Sequence, residues 1–291
     1  MANKDLSLSA KEIARRMLWR AAQVPVVRPA LIAYYGHKTS DNNWDREHPY
    51  DRAHGVRTSG MLPGFLLRPG EPMDVPTTIY SAAQPSIIRQ ALSTIPDPQR
   101  CHFLDLGCGK GRPLLVATEF RFAATIGVEL SPTLSRIARR NADVFSRVYP
   151  DRAPIVVVVG DALAHELPTE KLVIFLYNPF HRPLIAQLLS RIESSLETLS
   201  RELYIVYYNP VWADVFDAST ALERRFAAQL PYDQSEIGYG PDDSDLVVVW
   251  QNRGNPHPCP PGARMAPVSI ISPGWRAEMA RISASRPNPF D

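Results

Sequence analysis

Phe103-Leu104-Asp105-Leu106-Gly107-Cys108-Gly109-Lys110-Gly111-Arg112 reads as a hydrophobic strand that runs into a glycine-rich turn and then opens a helix. Glycines in such a turn let the backbone approach a bound nucleoside where a Cβ would collide, and the first turn of a helix leaves N–H groups unpaired. Gly107, Gly109 and Gly111 are spaced G-x-G-x-G. The third glycine therefore arrives one residue earlier than in the G-x-G-x-x-G turn that seats a dinucleotide pyrophosphate.

Outward from this turn the elements alternate. Ile87, Ile88, Ala91, Leu92 and Ile95 recur at helical spacing and predict a helix over 85–95. From strand 102–106 onward the pattern predicts helix 111–122, strand 124–128, helix 132–148, strand 155–159, strand 172–177, helix 183–199 and strand 203–208. Unbroken apolar runs such as Ile155-Val156-Val157-Val158-Val159 have the composition of strands covered on both faces. Residues 224–230 and 245–251, joined by the Gly- and Asp-rich stretch 233–244, predict an antiparallel pair that closes the sheet. The expected fold is α/β and Rossmann-like: a doubly wound, mostly parallel seven-stranded sheet with an antiparallel last strand, plus an N-terminal helical and irregular lid. The expected division is a lid segment 1–76, a main domain 77–252 and a Pro-rich tail 253–291.

Three later strand ends carry ligand chemistry. Gly127-Val128-Glu129-Leu130-Ser131 places an acid 22 positions after Gly107, where two carboxylate oxygens can accept from both hydroxyls of a ribose. Dehydrogenases use such an acid in the same way, so Glu129 indicates a ribose without choosing the cofactor. Gly160-Asp161-Ala162 follows the third strand, and Phe175-Leu176-Tyr177-Asn178-Pro179-Phe180 ends the fourth. The glycine turn, with Asp105 two residues before its first glycine, together with Glu129 and Asp161, resembles the class I S-adenosylmethionine-dependent methyltransferases over about residues 45–250.

That resemblance implies S-adenosyl-L-methionine as methyl donor and S-adenosyl-L-homocysteine as product. Its implied cofactor contacts are Tyr80, Gln84, Asp105, Gly107, Cys108, Gly109, Gly111, Glu129, Leu130, Asp161, Ala162 and Asn178. In the family the acid at Asp161 accepts from the adenine amino group, and Asp105 either orients the turn or reaches the cofactor's amino group through water. Asn178-Pro179-Phe180 resembles a shortened Asn/Asp-Pro-Pro-Tyr/Phe motif of methyltransferases that modify nitrogen, which implies a protein side chain or small molecule as acceptor. This chain lacks the second proline, so an O-methyltransferase of a small metabolite stands as the alternative. Tyr50-Asp51-Arg52-Ala53-His54-Gly55-Val56-Arg57-Thr58-Ser59-Gly60 resembles a segment of uncharacterised bacterial methyltransferase-like proteins. An NAD-dependent oxidoreductase is disfavoured by the early third glycine and by Asn178-Pro179-Phe180, and a non-catalytic cofactor-binding module is the third reading.

Asn178, Pro179, Phe180 and His54 are the candidate catalytic residues, with His181 and Asp51 as further candidate bases should the acceptor need deprotonation. Tyr177 and Tyr207 read as core aromatics. His37, His48 and His54 lie among Asp41, Asp45, Glu47 and Asp51, but their spacing fits no metal motif, so a surface polar loop and no metal are expected. Ser9-Ala10-Lys11-Glu12 starts a helix with a capping-box pattern that Pro25 and Pro29 end, 36–76 reads as irregular, and 254–291 reads as an extended tail with one short helix near 275–282.

The 32 basic and 30 acidic residues leave a formal charge of +2, which makes nucleic acid an improbable partner. Three cysteines without ligand spacing argue against a disulfide framework and for a reducing, cytoplasmic setting. No apolar run approaches the ~20 residues of a membrane span. Arg15, Arg16 and Arg20 beside Met17, Leu18 and Trp19 have the composition of a membrane-surface helix or of one packed on its own domain.

Overall fold

A computed structural model describes residues 10–31, 47–60, 62, 80–240, 242–258, 267–272 and 276–279. Strands β1 (His102–Leu106), β2 (Ala124–Glu129), β3 (Ile155–Val159), β4 (Leu172–Tyr177), β5 (Leu203–Tyr208), β6 (Leu222–Pro231) and β7 (Ser244–Asn252) form one seven-stranded sheet in the order β3-β2-β1-β4-β5-β7-β6. β1 to β5 run parallel, and β7 enters antiparallel between β5 and β6. The strand order reverses beside β1, and in such sheets ligands bind beyond the carboxyl ends of the strands at that reversal.

Alternation along the strands divides the interior into two layers. Phe103, Val173, Phe175 and Val206 face one side with Ile87, Ile88 and Leu115, whereas Leu104, Leu106, Ile174, Leu176 and Ile205 face the other with Leu188 and Trp250. Each such side chain contributes about 1.5–3 kcal/mol through its burial. The helices named below are α1 (Ala10–Ala22), α2 (Pro49–His54), α3 (Pro85–Leu92), α4 (Arg112–Ala117), α5 (Pro132–Val148), α6 (Arg182–Thr198) and α7 (Ala213–Asp217). α5 starts where its sequence says it should: Ser131 accepts from the Leu134 N–H, and Pro132 occupies the first turn, where its missing N–H has no intrahelical partner to lose.

Several expectations are corrected. β3 is an edge strand and not a strand covered on both faces: among the described residues β2 is its one sheet neighbour, and Val156 and Val159 are 52% and 41% exposed. Continuous Val and Ile favour extended backbone without reporting how many faces are covered. The helix expected over 111–122 is shorter, since α4 gives way to a 3-10 turn at Thr118–Phe120 that Arg121 ends with φ +56°. The tail contains no helix at 276–279. There β9 (Arg276–Met279) pairs antiparallel with β8 (Val268–Ser272) as a separate hairpin.

The stretch 47–60 is a built segment and not a surface polar loop. His48 and Asp51 are 3% and 1% exposed, and α2 is capped by His48 Nδ1 accepting from the Tyr50 N–H and closed by Gly55 at φ +67°. His37, Asp41, Asp45, Trp44 and Phe65 lie outside the described residues, as does Ser9 of the expected capping box.

Candidate active site

The turn after β1 is left-handed at each glycine, with φ of +86°, +56° and +88° at Gly107, Gly109 and Gly111. Close approach adds to the conformational demand. A Cβ on Gly109 would lie 2.4 Å from the Tyr80 ring, and one on Gly107 would lie 2.9 Å from Pro179. The turn is thus wedged between the segment before α3 and the segment after β4, and those two segments form walls of the same cavity.

That cavity has a volume of about 500 Å³, within the usual range for small-molecule sites. Asp105, Gly107, Cys108 and Gly109 form its floor at the β1 end, Glu129 and Leu130 come from β2, Asp161 and Ala162 from β3, and Tyr177, Asn178, Pro179 and Phe180 from β4. Four consecutive parallel strands therefore deliver their carboxyl ends to one space. Tyr80 to Ala83 close the side that precedes α3.

Two carboxylates dominate the floor. Glu129 accepts the Gly109 N–H at 2.9 Å with Oε2 and the Ser131 N–H at 2.7 Å with Oε1. Each carboxylate oxygen has two acceptor positions, and these bonds fix the orientation of the group at the cavity. Asp105 is 2% exposed, and its Oδ2 has no hydrogen-bond partner among the described residues. Burial, and then the nearby charge of Glu129, hold the Asp105 carboxyl well above the usual carboxylate range. A buried carboxyl oxygen without a donor is expensive, and the natural remedy is a ligand that brings a donor or a positive charge.

The one guanidinium in the wall among the described residues is already engaged. Arg112, 2% exposed, donates to Thr58 Oγ1 at 2.6 Å, to the Ala83 carbonyl at 3.1 Å and to Ser59 Oγ at 3.1 Å, and lies 3.4 Å from Asp51 Oδ1. Asp51 in turn accepts from the N–H groups of Thr58 and Ser59 at 2.6 and 2.7 Å and from both their hydroxyls. The Tyr80 hydroxyl donates to the Thr58 carbonyl at 2.6 Å, and the Lys110 ammonium donates to that of Ser59. The 47–60 segment thus fastens to the base of the glycine turn. Thr58, Ser59 and Arg112 were missed from sequence and Asp51 was read as a candidate base; the signal for the group was the unexplained Tyr50–Gly60 stretch.

At the β4 end Asn178 adopts φ +42°, a conformation that asparagine tolerates better than most residues, and its Oδ1 accepts from the Tyr207 hydroxyl at 3.3 Å. β5 repeats the arrangement. Tyr208-Asn209-Pro210 parallels Tyr177-Asn178-Pro179, Tyr177 and Tyr208 are register partners with stacked rings 4.3 Å apart, and Asn209 has φ +50°. Asn209 Oδ1 accepts the Ala277 N–H at 2.9 Å, so the second copy anchors the β8–β9 hairpin beside the first. Tyr177 is a wall of the cavity rather than a core aromatic, whereas Tyr207 is fully buried as expected.

Other expected site residues lie elsewhere. Gln84, expected at the cofactor's mouth, is 2% exposed at the start of α3, bonded to His48 Nε2 at 3.0 Å and to the Tyr239 carbonyl at 3.1 Å, and is not part of the cavity wall. Gly111 also lies outside the wall, packed 3.3 Å from Ala138 as judged from its Cβ position. His54 packs among Tyr50, Phe145 and Tyr149 with Nδ1 2.8 Å from the Tyr149 hydroxyl, away from the cavity, and burial lowers its pKa. Asp51 is consumed by the Arg112 network, and His181 precedes α6 on the exterior. Asp161 lines the cavity while its Oδ1 accepts the Leu163 N–H at 2.8 Å, a turn-capping contact. Among the described residues no group of three or more His, Cys, Asp or Glu is arranged to hold a metal, and no helix is long and apolar enough to cross a membrane.

No protein-family model matches the chain, and no curated protein matches it. Among solved structures the chain is similar to a candidate methyltransferase from Pseudomonas syringae, at 15% identity over 56% of this chain and 95% of that one, with a TM-score of 0.41. It is also similar to a candidate class I S-adenosylmethionine-dependent methyltransferase from Listeria monocytogenes, at 14% identity over 62% of this chain and 63% of that one, TM-score 0.44. A third is an RNA methyltransferase from Salinibacter ruber in complex with S-adenosyl-L-homocysteine, at 19% identity over 64% of this chain and 99% of that one, TM-score 0.40.

Proposed function

We propose that the chain is an S-adenosylmethionine-dependent methyltransferase whose donor occupies the cavity at the β1 to β4 strand ends. The observation that carries this reading is the orphaned Oδ2 of Asp105 on a floor shared with Glu129. A dinucleotide would bring an anionic pyrophosphate beside the Glu129 carboxylate and offer no cation to the buried Asp105 carboxyl, with Arg112 already committed to the 47–60 segment. A methyl donor brings an ammonium, a sulfonium and a ribose. The cationic groups relieve Asp105, and the ribose hydroxyls are donors of the kind the Glu129 carboxylate accepts. The sheet agrees, since β7 enters between β5 and β6 where a simple doubly wound dinucleotide fold continues to a parallel sixth strand.

When bound, the donor supplies an electrophilic methyl on a positively charged sulfur. What the chain supplies is alignment. Glu129 and the glycine turn fix the ribose end, Asp105 fixes the amino acid end, and Leu130, Asp161 and Ala162 surround the remaining wall. We assign the acceptor side to Asn178, Pro179 and Phe180, with Asn178 Oδ1 as the group that accepts from an acceptor N–H. None of the bases considered from sequence reaches the cavity, which suits a neutral nitrogen that needs no strong base and weakens the O-methyl alternative. The 47–60 segment serves as the back wall of the turn and the β8–β9 hairpin as a neighbour of the acceptor side.

Calorimetric titration with S-adenosyl-L-homocysteine and NAD tests the reading. Binding of the first without the second is expected, and binding of NAD alone would overturn it. Asn178→Ala is expected to keep S-adenosyl-L-homocysteine affinity within a few-fold, as befits a residue aimed at the acceptor.

A further inference from the structure

Residues 10–31 contain Lys11, Arg15, Arg16, Arg20 and Arg28 against one acid, Glu12, in a chain whose whole formal charge is +2. On α1 the positions Ile13, Arg16, Met17 and Arg20 follow i, i+3, i+4, i+7 and so share one face. That face points outward: Ile13 is 43% and Met17 65% exposed, with Arg16 and Arg20 exposed beside them. The opposite face, with Leu18 and Trp19 half-buried and Ala22 buried, is the one turned inward. The apolar surface continues past the helix through Val24, Val26 and Val27, of which Val26 is 86% exposed, up to Arg28.

A surface that sets exposed aliphatic side chains beside the exposed Arg16 and Arg20 suits a particular partner. A phosphate backbone would neutralise the arginines and leave Ile13, Met17 and Val26 in water. A neutral apolar groove would cover the aliphatics and strand the charges. The headgroup region of a bilayer takes both at once, with apolar side chains entering the acyl boundary and guanidinium groups at the phosphates. We propose that the outward face of α1 and the following Val24–Arg28 turn form a peripheral docking surface for an anionic phospholipid bilayer.

Co-sedimentation of the full chain with vesicles tests this. Equimolar phosphatidylcholine and phosphatidylserine vesicles are expected to retain the protein, more weakly as salt rises, and pure phosphatidylcholine vesicles to leave it in solution. The double variant Arg16→Glu/Arg20→Glu is expected to weaken retention by about tenfold or more. Met17→Asp, and separately Val26→Asp outside the helix, are expected to do the same, and their exposure makes retained folding checkable by circular dichroism. No retention on the anionic vesicles, or equal retention on both vesicle types, overturns the proposal. So does retention on a homopolymeric RNA that the arginine variant weakens while Met17→Asp and Val26→Asp leave it unchanged, because that assigns the face to nucleic acid.

Discussion

Glu129 at the end of β2 accepts the backbone N–H of Gly109 in the turn after β1, so the second strand fixes the loop that the first strand leads into. Glu129→Ala removes the acceptor for that N–H and for Ser131, both buried. Each unsatisfied donor costs about 1–3 kcal/mol. Chemical denaturation is expected to show a loss of about 2–4 kcal/mol, and calorimetry a roughly hundredfold fall in S-adenosyl-L-homocysteine affinity, since the proposed ribose contacts go with it. Unchanged affinity would remove Glu129 from the site.

Asp51 and Arg112 should behave asymmetrically. Asp51→Asn leaves a guanidinium that is 2% exposed without its counter-charge, a change that ordinarily costs about 3–5 kcal/mol. Arg112→Met paired with Asp51→Asn is expected to recover about half of that loss, because the pair is then removed together. Urea denaturation of Asp51→Asn, Arg112→Met and the double variant measures the order, and an additive double variant would deny the coupling.

Gly109→Ala meets two obstacles, a positive φ and the Tyr80 ring 2.4 Å from the new Cβ. Displacing the ring also breaks its hydroxyl bond to Thr58. The variant is expected to lose about 2–4 kcal/mol of stability and most cofactor binding. Adding Tyr80→Ala should restore part of the stability, since it removes the obstructing ring, and a melting-temperature comparison of the single and double variants reads this directly.

Asp245 links stability to pH. Burial pushes its pKa up to about 6, against the opposing effect of hydroxyl donation from Tyr208 and Tyr232, both at 2.5 Å, and Asp242 and Arg276 are its charged neighbours. With a folded pKa above the unfolded one, the folded state holds the extra proton between roughly pH 4 and 6, so this group's contribution is greatest at low pH and is lost as pH rises through about 6. The change is on the order of 3 kcal/mol. Asp245→Asn should flatten that part of the stability profile, as followed by urea midpoints across the range.

The parallel strands and their carboxyl-end residues were legible from sequence because strand length, Pro-started helices and a glycine turn are local signals. The bounds of β1, β3, β4, β5 and α5 coincide with those expected. Burial was not legible in the same way: five apolar residues in β3 describe an edge as well as a centre. Gln84 precedes a proline-started helix and lies near the turn in sequence, yet its side chain satisfies His48 and the Tyr239 carbonyl. The Asp51–Arg112 pair spans 61 positions, and neither residue carries a periodic signal that would reveal the other. The paired Tyr-Asn-Pro turns were present in the sequence all along, but their meaning depends on β4 and β5 being neighbours in register.

On the proposed function, a cationic donor completes the orphaned Asp105 carboxyl. Burial holds that carboxyl protonated above the usual range, and a bound ammonium or sulfonium favours the ionised form, so binding should release a proton. Titration of S-adenosyl-L-methionine in two buffers of different ionisation enthalpy, repeated across pH, measures this. Proton release, an affinity that rises with pH until Asp105 is ionised in the free protein, and loss of both in Asp105→Asn are predicted; proton uptake, or a profile that Asp105→Asn leaves unchanged, would contradict the account.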